Sequence, residues 1–496
     1  MDWPTRDLVA ARAAATPDRT GIFDADTGEK VAYREYDAAV GDRAGELAAL
    51  ADGTPDRIAL LLDTRPAFAE LFFAAMRLGT TVVPLNVRLT ASELTAQVER
   101  TDPDALVCES ETEATATEVF DGPVASVDES ERAGVRELAE MDREFVEPAT
   151  LSPETEQLIL FTSGTTGRPK GVRLTVGNLV ASATASAYRL GVSPDDRWCC
   201  CLPAYHMGGL APILRSALYG STVVIQRTFD PEATANVVAA RDVTGISLVP
   251  TMLSRMLDAG WTPPEHLRFV LLGGAPATDA LLDRCREFDV PAYPTYGMTE
   301  TASQIATATP AQTAAHEGTV GQPLVNTTVT VVDEDGEPVG PGESGEIVVD
   351  GPTVTAGYLD PEVTEAAVGE YGLHTGDVGT RDADGRLWVH NRKDDRIVTG
   401  GENVDPGEVV AVLRDHDAVR DAAVVGLDDP EWGERVAALV VPSEGAAPTV
   451  EAIESHCRER LAGFKLPRTV TFAEELPRTA SGTVDREAVR ALLREA

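Results

Sequence analysis

The stretch FTSGTTGRPKG at residues 161–171 sets the hydroxyls of Thr162, Ser163, Thr165 and Thr166 around Gly164 and Gly167, and then adds Lys170. Glycines let backbone N–H groups close on an anion, hydroxyls add donors, and a lysine supplies a compact charge suited to phosphate. The spacing is not that of a Walker A loop, because the lysine stands three residues after Gly167 and no Gly-Lys-Ser/Thr run occurs. A plain Ser/Thr/Gly surface loop would explain the composition but not the lysine. Of 42 basic residues only Lys30, Lys170, Lys393 and Lys465 are lysine. A chain this poor in lysine has kept one where a phosphate would sit.

Two carboxylates stand in comparably punctuated stretches. Glu300 closes YGMTE at 296–300 and offers the oxygen ligand that Mg²⁺ prefers, while Asp377 closes GLHTGD at 372–377 and suits a ribose diol. Either acid alone would more often be a surface residue. Together with the phosphate loop they match a defined need. A carboxylate attacking the α-phosphate of ATP requires a metal and cations to spread charge, and groups that position the nucleotide. His206 in LPAYHMGGL is flanked by glycines, which suggests a pocket wall or gate. GGAP at 273–276 follows the apolar run RFVLL.

These stretches, in this order, resemble the motifs of the adenylate-forming superfamily of acyl-CoA synthetases, peptide-synthetase adenylation domains and luciferases. The resemblance covers essentially the whole chain. It implies ATP, Mg²⁺ and CoA as small-molecule partners of a carboxylic acid. It also implies nucleotide contacts from the phosphate loop, from Gly274, Ala275 and Pro276, and from Thr295, Tyr296 and Gly297. Thr299 would touch phosphate, Glu300 would hold Mg²⁺, and Asp377 and Arg392 would take the ribose. Asp394 falls at the position of an interdomain hinge, and Gly400, Gly401 and Glu402 in GGENVDPGE resemble the segment that lines the CoA tunnel. The longer run YGMTETASQ resembles the o-succinylbenzoate–CoA ligases, the branch that serves menaquinone biosynthesis. Ser303 and Gln304 would then border the acyl pocket with His206, although a helix start that the two residues cap is an equally good reading of the sequence. Another acyl- or aryl-CoA synthetase shares all of these nucleotide motifs. A nucleotide-binding pseudoenzyme is the alternative outside catalysis. Its motive is Thr483 in LPRTASGTVDR, which stands where the superfamily has a lysine that enters the active site during adenylation; Lys465 and Arg478 are candidate substitutes.

The elements that must position these groups read as parallel α/β layers. Apolar runs such as RIALLL, TTVVPLN, STVVIQ, GISLVP and RFVLLGG alternate with helical patterns such as AFAELFFAAMRLG and ALLDRCREF. From about residue 325 the pattern turns to hairpin-like strands with Asp/Gly/Pro turns, TTVTVVDEDGEPV and SGEIVVDG. The expected fold is therefore a large N-terminal domain, 1–393, of layered α/β sheets with an appended antiparallel sheet or barrel. A small mobile α+β domain, 394–496, follows. Its first helix is signalled by Asp405 as N-cap, Pro406 at the first position and Glu408 at capping-box spacing.

Composition bounds the remainder. The 496 residues suffice for at least two cores, and a net charge of −39 argues against nucleic acid or anionic lipid as a partner. Excess carboxylate with lysine nearly eliminated suits molar salt, where the Debye length falls to about 3 Å and self-repulsion becomes tolerable. A halophilic protein is expected. MDWPTRDLVA carries no basic and apolar leader pattern, no apolar run approaches a membrane span, and the six cysteines show no CxxC pair. A cytoplasmic chain with buried thiols is expected, with Cys199, Cys200 and Cys201 packed in a strand, and the composition is compatible with a homo-oligomer.

Overall fold

The computed structural model describes residues 6–143, 145–162, 169–393, 397–399, 402–404, 406–430, 432–461, 463–479 and 483–495. The chain packs as two compact units, one of Met1–Thr328 with Val349–Leu373, the other of Val329–Val348 with His374–Ala496.

The first unit carries two large sheets. Among the described residues one has nine strands, with Arg197–Cys200, Gly245–Leu248, Phe269–Leu272 and Ala292–Met298 running parallel as neighbours in that order. At its edge the antiparallel strand Ser303–Thr307 folds back on Ala292–Met298. The other sheet has eight strands among the described residues. Its centre is the parallel set Arg57–Leu61, Thr81–Pro84 and Glu156–Thr162, with Lys170–Thr175 antiparallel beside the last. The helices read from the sequence form where the 3.6-residue pattern places them, for example Pro66–Leu78 and Asp279–Glu287. Pro66–Leu78 contributes Phe68, Phe72 and Phe73, all fully buried, to the principal core. The residues Arg197–Cys200 form a strand, which holds Cys199 and Cys200 as expected, whereas Cys201 is buried just beyond its end. All six cysteines are free and buried, and burial pushes the Cys108 thiol up to about 12 and that of Cys285 to about 11.

The second unit differs from the expected domain division. The strands Thr328–Val332, Ser344–Asp350, Gly372–Arg381 and Leu387–Arg392 form a sheet of their own, and most of it clusters with the C-terminal residues. The expected break at 393/394 thus falls inside the second compact unit. A five-stranded sheet follows, built on the long antiparallel pair Val419–Asp429 and Gly433–Pro442, with Thr469–Phe472 parallel to the latter. Ile397, Val409, Leu413, Ile453 and Cys457 fill one side of it, and Val489 and Leu493 of the helix Arg486–Glu495 the other. The helix Pro406–Arg414 begins as expected, but Asp405 lies outside the described residues, and the Glu408 carboxylate accepts from Lys465 at 2.6 and 2.7 Å.

Candidate functional site

The register of the two strands that bracket the phosphate loop places Thr162 opposite Lys170. Ser163, Gly164, Thr165, Thr166 and Gly167 lie outside the described residues. A two-residue strand, Gly357–Tyr358, pairs with Lys170–Thr175 and sets Tyr358 opposite Val172. From there the ring of Tyr358 lies 5.4 Å from Lys170 Nζ, and its hydroxyl donates to Glu300 Oε1 at 3.0 Å. Glu300 is buried on the short turn Thr299–Thr301, and the Thr355 N–H donates to its carbonyl at 2.7 Å. The phosphate lysine and the metal carboxylate expected from the sequence are therefore joined through a tyrosine that sequence reasoning passed over.

Parallel pairing carries the neighbouring groups to one end of the nine-stranded sheet. Leu272 pairs with Pro294, so Gly274, Ala275 and Pro276 leave one strand beside Thr295, Tyr296 and Gly297 at the end of the next. Strand ends on this side are where open α/β sheets bind ligands. The chain then turns sharply: Ala302 and Ser303 both have positive φ, 50° and 120°. Such backbone in non-glycine residues is held only where the surroundings over-determine it, and it clusters at functional sites. Gly297 is part of that constraint, since a Cβ there would meet the Ser303 carbonyl oxygen at 1.7 Å. Overpacking of this kind costs about 1–3 kcal/mol. Gly297→Ala should accordingly lower the thermal midpoint by several degrees, as read by circular dichroism. An unchanged midpoint would mean that the turn yields freely.

Ser303 is half-buried and Gln304 fully buried, and the Gln304 amide donates to Thr307 Oγ1 at 2.7 Å, leaving its Oε1 without a partner. Thr307 in turn shares a hydrogen bond of 2.8 Å with Thr295. His206 precedes the helix Met207–Tyr219, with its ring edge-on to Tyr205 at 4.9 Å. The first turn of this helix presses on the preceding loop: a Cβ on Gly209 would sit 2.3 Å from the Pro203 carbonyl oxygen. Thr64 pins the same loop by donating to Leu202 O and accepting from the Ala204 N–H. Burial, and secondarily Arg88, hold the His206 pKa below its ordinary value, so the ring is neutral near pH 7.

On the same helix stands a second residue missed from the sequence. Arg215 is 1% exposed, stacks on the Trp198 ring at 5.6 Å and reaches Ser182 Oγ at 3.4 Å. No carboxylate contacts it among the described residues, and burial pushes its pKa down. Ser182 donates to the carbonyl of Ala302 at 2.7 Å, so this guanidinium stands one hydroxyl away from the strained turn between Glu300 and Ser303. A lone arginine in the apolar run GLAPILRSALY was the available signal. The acidic trio Glu109, Glu111 and Asp128 is by contrast neutralised by Arg65 and Arg227 and is a structural network.

In the second unit Asp377 pairs with Arg392 across adjacent strands, and their side chains form an ion pair at 2.9 Å. Behind them Glu346 accepts from Lys393 at 2.9 Å and from the Gly376 N–H at 3.2 Å, with His374 Nδ1 at 3.2 Å. Burial would raise the Glu346 pKa, but hydrogen bonds and charge from Lys393 and His374 outweigh it and leave the pKa below the ordinary value. Asp394, Gly400 and Gly401 lie outside the described residues, and Glu402 opens the strand Glu402–Val404. Thr483 holds Thr479 through a 2.7 Å hydroxyl pair and a 2.8 Å backbone hydrogen bond. Both candidate substitutes for the missing lysine are engaged elsewhere, Lys465 on Glu408 and Arg478 on Asp421 at 3.0 Å.

Comparison with known proteins meets this geometry at full length. The model of the AMP-binding enzyme family matches residues 9–359, and that of the AMP-binding enzyme C-terminal domain matches 408–483. The chain belongs to the AMP-binding enzyme family. Within the AMP-binding family it is 40% identical over 487 residues to a 2-succinylbenzoate–CoA ligase of Geobacillus kaustophilus, covering 97% of this chain and 96% of that one. The corresponding Bacillus cereus ligase is 39% identical over 98% of each chain. The structure superposes on the o-succinylbenzoate CoA synthetase of Bacillus subtilis in complex with its acyl-adenylate intermediate with a TM-score of 0.89, at 35% identity over 98% of both chains. An ATP-bound enzyme of Rhodopseudomonas palustris, 28% identical, superposes with the same TM-score over 98% of each chain. The chain is an AMP-forming acid–thiol ligase with the fold of these enzymes, and no helix among the described residues is long and apolar enough to cross a membrane.

Proposed function

We propose that this ligase converts 2-succinylbenzoate, ATP and CoA to 2-succinylbenzoyl-CoA, AMP and pyrophosphate in menaquinone biosynthesis. The observation that carries the substrate assignment is Arg215: a buried guanidinium without a carboxylate among the described residues, beside the turn that holds Ser303, awaits an anion. An acid with a second carboxylate supplies one, whereas benzoates and fatty acids do not. The relatives named for the same reaction support the reading.

In the first step the acid carboxylate attacks the α-phosphorus and pyrophosphate leaves. In the second the CoA thiol attacks the acyl-adenylate carbonyl and AMP leaves. The buried Glu300 carboxylate, with one oxygen anchored by a neutral hydroxyl, fits a hard cation. Mg²⁺ when bound spreads the charge of the triphosphate. Lys170 and Thr299 take phosphate oxygens, and Thr162–Gly167 supply further N–H and hydroxyl donors. Tyr296 and 274–276 lie along the base, Asp377 and Arg392 hold the ribose, and Gly400–Glu402 line the path of CoA. Rotation about Asp394 lets one site serve both steps. Free, buried cysteines support a reducing, cytoplasmic setting.

Thr483 favours a second reading, a nucleotide binder that does not complete the reaction. An assay for AMP and acyl-CoA in molar KCl separates the two. The expected result is kcat/KM for 2-succinylbenzoate at least about 10²-fold above that for benzoates and short or medium fatty acids. Equal turnover of these acids would assign a generalist synthetase, and nucleotide binding without AMP release would assign the non-catalytic reading.

A further inference from the structure

We infer that Tyr358 is a positioning residue of the adenylation site, holding the metal-binding carboxylate of Glu300 through its hydroxyl and seating the Lys170 ammonium on its ring. The inference rests on the reading that Glu300 holds the cation. Its geometry is independent of that reading.

A carboxylate on a three-residue turn has free χ angles. To bind a cation with octahedral demands it must be oriented before the cation arrives, and losing a group that orients a ligand typically costs about 10- to 100-fold in metal affinity. The Tyr358 hydroxyl does this for Oε1, at 3.0 Å, and no described residue donates to Oε2, which leaves that oxygen for the metal. A hydroxyl is the right donor. It fixes the carboxylate without the competing positive charge that a lysine or arginine would bring. The ring serves Lys170 differently, by giving the ammonium a π face 5.4 Å away instead of a counter-carboxylate. Lys170 thus shares Tyr358 with Glu300 without forming an ion pair with it, and its charge remains available to phosphate.

The fold fixes Tyr358 with unusual care for a residue outside any long element. Its strand is two residues long, yet it is bonded to the phosphate strand on one side, and its N–H donates to Thr364 Oγ1 at 2.9 Å. Gly357 before it has φ +124°, and a Cβ there would meet Thr364 at 2.7 Å. Thr355, two residues earlier, donates its N–H to the Glu300 carbonyl and its hydroxyl to Arg173 O. One short segment therefore grips both the metal turn and the phosphate strand, and Tyr358 is the side chain it presents to both.

The test uses the full-length enzyme in molar KCl, with Mn²⁺ as the probe read by electron paramagnetic resonance in the presence of a non-hydrolysable ATP analogue. Tyr358→Phe keeps the ring and should weaken Mn²⁺ about 10- to 100-fold, the usual effect of losing a group that orients a metal ligand. The metal-free affinity for the analogue should not change. Tyr358→Leu removes the ring as well and should add a rise in KM for ATP. Affinities are read on folded protein well below the thermal midpoint, so a lowered midpoint does not obscure them. Glu300→Gln distinguishes the two levels of the argument. If it abolishes Mn²⁺ binding while Tyr358→Phe binds Mn²⁺ like the wild type, the tether is wrong and the role of Glu300 stands. If Glu300→Gln itself binds Mn²⁺ normally, that role fails and the inference falls with it.

Discussion

Arg215→Gln should raise KM for 2-succinylbenzoate by two to three orders of magnitude while leaving KM for ATP and the thermal midpoint of the free enzyme essentially unchanged. Truncating one partner of a buried, hydrogen-bonded charge pair costs about 2–5 kcal/mol, or roughly 30- to several-thousand-fold. In the free enzyme that penalty is absent, because the guanidinium has no carboxylate to lose among the described residues. An uncompensated buried cation is itself unfavourable, so glutamine should hold or raise the midpoint. A raised KM with the midpoint held is expected only if the cation is there for the ligand. A midpoint that falls by many degrees with KM for the acid intact would make Arg215 a structural residue packed on Trp198. Arg215→Lys is the stricter control: lysine keeps the charge but loses the planar fork and its stacking, so only part of the affinity should return. Activation of a plain benzoate should be indifferent to the substitution or gain from it.

The fold was legible in the sequence wherever one residue pattern decides one element. RIALLL, STVVIQ, GISLVP and RFVLL are short apolar runs between turn signals, and each is a parallel strand in place. The site was legible where a motif marks a strand end: Lys170, Glu300 and the 273–276 turn all lie where their flanking runs put them. Contacts between segments far apart in sequence were not legible. Nothing near Tyr358 announces that its partners are Lys170 and Glu300, 188 and 58 positions earlier, because a two-residue strand carries no period. The division into compact units differs from the expected domain division for a related reason. The hairpin strands from Val329 and those from His374 signal antiparallel pairing, but not which neighbouring core they will join. Gln304 was expected from the sequence to border the acyl pocket. That its amide would be committed to Thr307 depends on a cross-strand register that no local signal sets.

Thr483→Lys should speed formation of acyl-adenylate by about 10- to 150-fold, the value of one charge-assisted contact of about 1.5–3 kcal/mol, and by up to about 10³-fold if the contact is made chiefly in the transition state. The residues around Thr483 match the superfamily stretch, so the position is substituted, not shifted. With threonine there, adenylation would rely on Lys170 and on the carboxylate proposed to hold the metal, and it should limit turnover. The two side chains best placed by sequence to take over are held by acids, Lys465 by both oxygens of Glu408 and Arg478 by Asp421, which also binds Arg414. Recruiting either would cost an ion pair, although exposed pairs are worth only about 0–1 kcal/mol and molar salt weakens them further. Compensation from those residues is therefore cheap enough to compete, and the measurement must exclude it. Single-turnover adenylation and CoA transfer from preformed acyl-adenylate should be followed separately in Thr483→Lys, with Lys465→Ala and Arg478→Ala beside it. The expected pattern is faster adenylation, unchanged transfer, and little effect of either alanine on the first step. If Thr483→Lys adenylates no faster, and Lys465→Ala or Arg478→Ala slows that step, the cation has moved within the C-terminal unit.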